Sequence, residues 1–202
     1  MINKIFIASG NPGKLDEFLG LAVSGEIPRR RVELALLSGF AALPEFDECA
    51  GTFAEIAAGK ALHYSRFTDE AVLADDSGLV VPALGGAPGV RSARYAGPNA
   101  TSAERNEKLL SEMREFTGLQ RRAYFVCALA LAQKGRAMAI ITARADGEIL
   151  LAPRGGNGFG YDPVFYLRDL GKSFAELLPE EKNRFSHRGK AFRRLMQILP
   201  DI

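Results

Sequence analysis

The chain has 202 residues, 47% of them apolar and 25% charged, which supplies a substantial core and excludes global disorder. Its net charge of +2 is too small to argue for a nucleic-acid partner, although local clusters can still hold phosphate. No apolar run approaches a membrane span, and Met1-Ile2-Asn3-Lys4 leads into a strand and not a signal peptide, so a single cytoplasmic domain over residues 1–202 is expected, with no membrane partner.

Ile5-Phe6-Ile7-Ala8 reads as a first strand buried on both faces. It enters Ser9-Gly10-Asn11-Pro12-Gly13-Lys14, and a helical pattern begins at Leu15 with Phe18, Leu19 and Ala22 on one face. Strand, glycine-rich turn, lysine and helix form the layout of an anion site, because free backbone N–H groups and an ammonium converge there. The spacing is shorter than GxxxxGK[ST], and a plain strand-to-helix turn explains the same residues. Arg31 to Leu37 suggests a second strand behind a solvated Arg29-Arg30-Arg31 run. Glu45, Asp47 and Glu48 precede a helix opened by the capping box Thr52-Phe53-Ala54-Glu55. Phe53, Ala57, Lys60, Ala61 and Tyr64 carry that helix to about Phe67. Acids ahead of a helix complement its dipole, which alone accounts for them.

Ala71-Val72-Leu73-Ala74 reads as a buried strand that stops at Asp75-Asp76-Ser77-Gly78. Carboxylates at a strand end suit a hard cation such as Mg²⁺, and a solvated turn uses the same residue types. Gly85 to Gly89 and Ser92 to Gly97 then spend small residues that local folding does not require, as loops do where a ligand approaches the backbone. Thr101-Ser102-Ala103-Glu104 caps another helix, reaching about Phe116. Ala123 to Gln133 and Ala137 to Arg144 are long apolar runs around Gly135, and Asp146-Gly147 before Glu148 to Leu151 reads as a hairpin turn. Three successive antiparallel strands are therefore expected. The two cysteines, Cys49 and Cys127, lack metal-ligand spacing and read as free thiols, Cys127 as core filling.

Gly155 to Pro163 is a second glycine-rich loop, whose Phe159 and Tyr161 suit either a stacked base or the core. Ser173 to Glu176 opens a short helix halted near Pro179. The last helix starts near Ser186 with Phe192, Leu195, Met196 and Leu199 as its apolar face. Lys182, Arg184, His187, Arg188 and Lys190 gather at that helix start, against the macrodipole, which favours an anion or electron-rich base between them. Arg184 and Lys190 also fit a solvated face.

The blocks SGNPGK (Ser9 to Lys14), ADDSG (Ala74 to Gly78), LGGAPG through SARYAG (Leu84 to Gly97), GFGYDPVF (Gly158 to Phe165) and SHRGKA (Ser186 to Ala191) run the length of the chain. In this order they resemble the inosine/xanthosine triphosphate pyrophosphatase family. The resemblance implies an α/β fold in which a long, twisted, mixed sheet with helices separates two lobes flanking a central active-site cleft. It also implies a homodimer and Mg²⁺-dependent hydrolysis of deaminated purine nucleoside triphosphates (ITP, dITP, XTP) to the monophosphate and pyrophosphate.

By the same resemblance Ser9, Gly10, Asn11, Pro12, Gly13 and Lys14 hold the triphosphate. Asp76 is catalytic base and metal ligand, Ser77 contacts substrate, and Glu48 completes the Mg²⁺ site. Phe159, Gly160, Tyr161 and Asp162, with Lys182, His187 and Arg188, take nucleotide-binding positions. A metal-bound carboxylate is a poor base, so Asp75 and Glu55 stand as candidates to share that role. The chain departs from the family's F-x-E-N-A pattern at Ile56, where an asparagine is usual. Two readings from other classes use the same residues. A nucleotide-binding regulator keeps the loops without needing Glu48 and Asp76, and a phosphatase uses the acids but releases orthophosphate.

Overall fold

The computed structural model describes residues 2–23, 32–48 and 51–201; Arg29-Arg30-Arg31 and Cys49 lie outside them. The parallel part of the sheet is β1 (Lys4–Ile7) flanked by β2 (Glu33–Leu36) and β3 (Ala71–Val80). From β3 the sheet continues antiparallel through β4 (Arg122–Gln133), β5 (Arg136–Ile149), β6 (Phe165–Leu167) and β7 (Lys172–Ser173). The order β2-β1-β3-β4-β5-β6-β7 makes it the mixed sheet expected.

Strand alternation sorts the helices onto the two faces. Ala71 and Leu73 pack with Ile5, Ile7 and Cys127 beneath α1 (Pro12–Val23) and α5 (His187–Ile198). Val72 and Ala74 point the other way, against Ala57, Ala61 and Tyr64 of α2 (Phe53–Tyr64). A further core lies at the far end of the long strands, where Leu79, Phe125, Ala145 and Ile149 meet α3 (Ser102–Glu112) and Phe165 and Phe174. The expected apolar face of α5 is buried as predicted, and Cys127 is a buried free thiol. On α1 the buried residues are Phe18 and Leu21, whereas Leu19 is exposed. No helix among the described residues is long and apolar enough to cross a membrane.

The structure corrects several boundaries. β3 does not stop at the acids: Asp75 pairs with Leu129, Asp76 with Ala128 and Ser77 with Cys127, and the strand runs on to Val80. Antiparallel pairing supplies the ladder partners that a turn would otherwise have provided. The expected hairpin at Asp146-Gly147 is likewise absent, because β5 runs through both residues. A Cβ at Gly147 would lie 2.5 Å from the Tyr166 carbonyl oxygen, so this glycine admits the crossing of β6 and makes no turn. The hairpin sits instead at Lys134 and Gly135, with φ of 50° and 73°, the left-handed pair that a tight two-residue connection needs. The short helix expected after Ser173 is the 3-10 turn Phe174–Glu176, and Pro179 then starts another helix: α4 spans Pro179–Phe185, with proline in its first turn. Lys182 and Arg184 therefore belong to α4, ahead of α5.

Candidate active site

β1 is shorter than β3, and its last bond to that strand is Ala8 N–H to the Leu73 carbonyl at 2.9 Å. Beyond this point that edge of β3 is next met by the 87–94 segment, through the Val80–Pro88 bridge and the short 3-10 helix Gly89–Arg94. Ser92 Oγ accepts from Leu79 N–H at 2.9 Å and donates to the Gly89 carbonyl at 2.7 Å. Asp75, Asp76 and Ser77 lie in the gap between, at the carboxyl end of β1, where open α/β sheets bind ligands.

The Ser9–Lys14 turn leads from β1 into that gap. Asn11 Oδ1 accepts from Lys14 N–H at 3.3 Å and Asn11 N–H donates to Ser9 Oγ at 3.2 Å. Pro12 has no N–H, so this turn offers a phosphate fewer amides than its sequence suggests. Ser9, Gly10, Asn11 and Lys14 line the cleft, whereas Pro12 and Gly13 do not. Gly13 serves differently: a Cβ there would lie 2.6 Å from the Phe159 ring, which rests directly on it.

Consecutive strand residues face opposite sides, so the two acids have different company. Asp75, 2% exposed, turns toward α1 and α5, where Lys14 Nζ lies 3.0 Å from Oδ2 and an Arg188 nitrogen 3.3 Å. Burial alone would raise its pKa, but Lys14, Arg188 and Lys60 outweigh it and hold the carboxyl well below the usual range. Asp76, 8% exposed, is pushed up to about 7, first by burial and then by Asp75 and Glu48, against Lys14 and Lys60. Its Oδ2 has no hydrogen-bond partner. Glu48 lines the same cleft, and its Oε1 accepts from Lys60 Nζ at 2.9 Å. Burial opposes the Lys60 charge, but Glu48, Asp75 and Asp76 prevail and keep the ammonium protonated. Glu55 is exposed and engaged in the α2 cap, where it accepts from Thr52 N–H at 3.1 Å. It is absent from the cleft lining, which removes it as a candidate base.

On the same side as Asp75, Glu17 of α1 joins Lys182 and Arg188. Lys182 Nζ lies 2.5 Å from Glu17 Oε1 and also bonds Asp162, while Arg188 bonds Glu17 and donates to Ser77 Oγ at 2.7 Å. Three cations (Lys14, Lys182, Arg188) thus face three carboxylates (Glu17, Asp75, Asp162) in one connected network. Burial, reinforced by Arg188 and Lys182, drives the His187 imidazole well below its ordinary pKa, so it is neutral near pH 7. It stacks on Phe125, centroids 4.7 Å apart and planes 7° apart, and its Nδ1 has no partner. Lys182 Nζ sits 4.8 Å from the Phe159 centroid. Both loop aromatics line the cleft, but Phe159 is half-buried, whereas Tyr161 is anchored in the core, its hydroxyl donating to the Ser92 carbonyl at 2.9 Å. Asn106 Nδ2 ties the Gly160 carbonyl to α3 at 3.1 Å.

These groups enclose a cavity of about 300 Å³. A broader, more open groove of about 900 Å³ lies alongside, between α3 and the 151–163 loop, but it holds neither the acids nor Lys14.

The Ham1 family profile matches residues 5–198. The chain belongs to the Ham1 family. A dITP/XTP pyrophosphatase of Geobacillus kaustophilus is 50% identical, over 100% of this chain and 96% of its own. One from Thermus thermophilus is 48% identical over 98% of this chain and 92% of its own. Among solved structures, a HAM1 protein from Coxiella burnetii superposes with a TM-score of 0.84 at 40% identity, covering 100% of both chains.

In this Ham1-family chain the cleft brings together most of the residues singled out in the sequence: Ser9, Gly10, Asn11, Lys14, Glu48, Asp76, Ser77, Phe159 to Asp162, Lys182, His187 and Arg188. Among residues that sequence reasoning left without a role, the cleft adds Lys60 to its lining, and Glu17 stands behind that lining, paired with Lys182 and Arg188. Lys60 was legible as a lysine on the otherwise apolar face Phe53, Ala57, Ala61 and Tyr64. Glu17 stands three residues after Lys14, on the same face of α1. Among the described residues there is no cluster of three or more His, Cys, Asp or Glu disposed to hold a metal. Two carboxylates, Glu48 and Asp76, with Asp76 Oδ2 unpartnered, still fit a cation that keeps waters and takes substrate phosphate oxygens as its other ligands, the habit of Mg²⁺.

Proposed function

We propose that this protein hydrolyses deaminated purine nucleoside triphosphates (ITP, dITP and XTP) to the monophosphate and pyrophosphate, clearing them from the nucleotide pool. One observation carries the reading: a single cleft holds the anion-binding turn with Lys14, the carboxylates Glu48 and Asp76, and the set Phe159, Lys182, His187 and Arg188. The relatives named dITP/XTP pyrophosphatase, similar over nearly the whole chain, support the same chemistry.

A divalent cation, Mg²⁺ in this reading, would be held by Glu48 and Asp76 and would supply positive charge against the charge that builds on the leaving pyrophosphate. Lys14 and the Ser9–Asn11 turn bind the phosphate chain, and Lys60 adds a second ammonium to that wall. A water oxygen bonds the α-phosphorus as the bond from that phosphorus to the pyrophosphate oxygen breaks. The water's proton passes to Asp76, the cleft carboxylate whose Oδ2 is left without a hydrogen-bond partner and so is free to accept it. Asp75 is a poor alternative, because Lys14 and Arg188 hold it ionised and occupied.

Phe159 presents its ring to the base, and Lys182 and Arg188 present donors. A 6-keto oxygen accepts from such donors, whereas the 6-amino group of adenine leaves them unpaired, a mismatch that reaches about 10⁴-fold in kcat/KM at buried sites. Assembly as a homodimer is part of the same reading, and sedimentation velocity checks it.

The deciding experiment is a product assay with Mg²⁺ on ITP, XTP, dITP, ATP and GTP that scores pyrophosphate separately from orthophosphate. Pyrophosphate from the first three, with little from ATP or GTP, is expected. Orthophosphate would reassign the bond cleaved, and tight binding without turnover would favour a nucleotide-responsive regulator.

A further inference from the structure

Lys60 lies where the proposed reaction needs a divalent cation. It projects from α2 into the cleft with its side chain 15% exposed, and its Nζ donates to Glu48 Oε1 at 2.9 Å. The same ammonium interacts electrostatically with Asp75 and Asp76. Asp75 has cations of its own, Lys14 at 3.0 Å and Arg188 at 3.3 Å. Asp76 leaves Oδ2 without a hydrogen-bond partner. Lys60 is therefore the cation that occupies Glu48, and with Lys14 it sets the field at Asp76; Glu48 and Asp76 are the two carboxylates assigned to the metal.

We propose that Lys60 stands in for the divalent cation in the metal-free protein, so that loading the metal is an exchange in which the ammonium gives up Glu48. The inference rests on the Glu48–Asp76 metal reading and goes beyond it. Without Lys60, two carboxylates would face one another across a cleft with reduced access to water, at an electrostatic cost. With Lys60 in place, an entering cation meets both an occupied ligand and a like charge. The nucleotide-free protein then takes up the cation weakly. A nucleotide offers the displaced ammonium a phosphate oxygen, so cation and nucleotide strengthen each other's binding by the same factor.

The test is calorimetric titration of Mn²⁺, as a probe of the divalent site, into the nucleotide-free protein. Four forms are compared: wild type, Lys60→Met, Lys60→Arg, and Lys60→Met combined with Glu48→Gln. Removing the competing charge in Lys60→Met is expected to tighten Mn²⁺ at least about tenfold. Lys60→Arg, which keeps the charge, should stay within about threefold of wild type. An unchanged or weaker affinity in Lys60→Met, in a protein whose circular dichroism is native, overturns the proposal. Adding Glu48→Gln should abolish the gain. If it leaves tight binding intact, the cation is not at Glu48, and the metal reading fails as well. Lys60→Gln carries the same expectation should the methionine variant fold poorly.

Discussion

Asp75 and Asp76 are adjacent in the chain and opposite in chemistry, because a strand sends neighbours to opposite faces. Asp75 is neutralised by Lys14 and Arg188, and Asp76 is left as the group that can exchange a proton or hold a cation. Asp76→Asn should lower kcat by at least about 10²-fold with the fold intact, measured by steady-state assay beside circular dichroism. The same residue sets a pH dependence. Its pKa in the fold is about 7 against an ordinary 3.8, so the folded protein holds this proton more tightly than the unfolded chain. Metal-free stability is then greatest below about pH 4 as far as Asp76 is concerned. It falls as pH rises through 7, by an amount on the order of a few kcal/mol. Thermal melts of wild type and Asp76→Asn in chelator, from pH 5 to 8, should diverge in favour of the variant as pH rises. Glu17→Gln removes the carboxylate that Lys182 and Arg188 share. It should raise KM for ITP several-fold and narrow the ITP-to-ATP ratio, while Mn²⁺ affinity stays unchanged. Both Glu17 and Lys60 escaped the sequence reading for one reason. A helical pattern says which face a residue occupies, not what stands opposite it.

At the scale of elements, the segment carrying Glu48 has no regular structure over 44–48 and is held by side chains of α2. His63 Nε2 lies 2.8 Å from the Pro44 carbonyl, Phe46 N–H donates to the Tyr64 hydroxyl at 3.3 Å, and the Phe46 ring fills the notch left by Gly59. A methyl at that notch would press into the ring. Gly59→Ala should therefore displace the Glu48 segment, destabilising by about 1–3 kcal/mol as overpacking does and weakening Mn²⁺ in parallel. Thermal melts and the metal titration read both effects; tight Mn²⁺ with a lowered melting temperature would mean that Glu48 is not held this way. The same scale explains which strands were legible. Ile5 to Ala8 and Ala123 to Gln133 advertise themselves through continuous apolar runs. The second half of β3 and the end of β5 do not, since Asp-Asp-Ser-Gly and Asp-Gly carry turn composition. Only the pairing of Asp76 with Ala128 and of Gly147 with Ala123 fixes them as strand. Local propensity was overridden by a neighbouring strand that no short window contains.

Across the whole molecule, the long strands β3, β4 and β5 run through the cores at both ends of the sheet and form the floor between them. The cleft is thus a gap in the sheet's flanking layer on a continuous base. The motif blocks were readable in order because each except the Asp75-Asp76 stretch, which is strand, is a loop or helix start near this gap. The strand order that gathers them depends on contacts far apart in sequence. A ligand that touches Lys14 of α1 and Lys60 of α2 ties the flanking elements together. ITP with Mg²⁺, on the catalytically slow Asp76→Asn background, should raise the melting temperature more than ATP does. Saturation at a hundredfold over Kd corresponds to about 2.7 kcal/mol. Equal shifts with both nucleotides would place base discrimination in the chemical step and not in binding.

Gly13 lacks a side chain because the Phe159 ring lies where one would be. On the proposed reading the ring that takes the base therefore rests on the turn that takes the phosphates, with no layer between them. One van der Waals contact would then set the spacing between the two ends of a bound nucleotide, and neither wall could shift without carrying the other. The cleft would act as a gauge as well as a receptor.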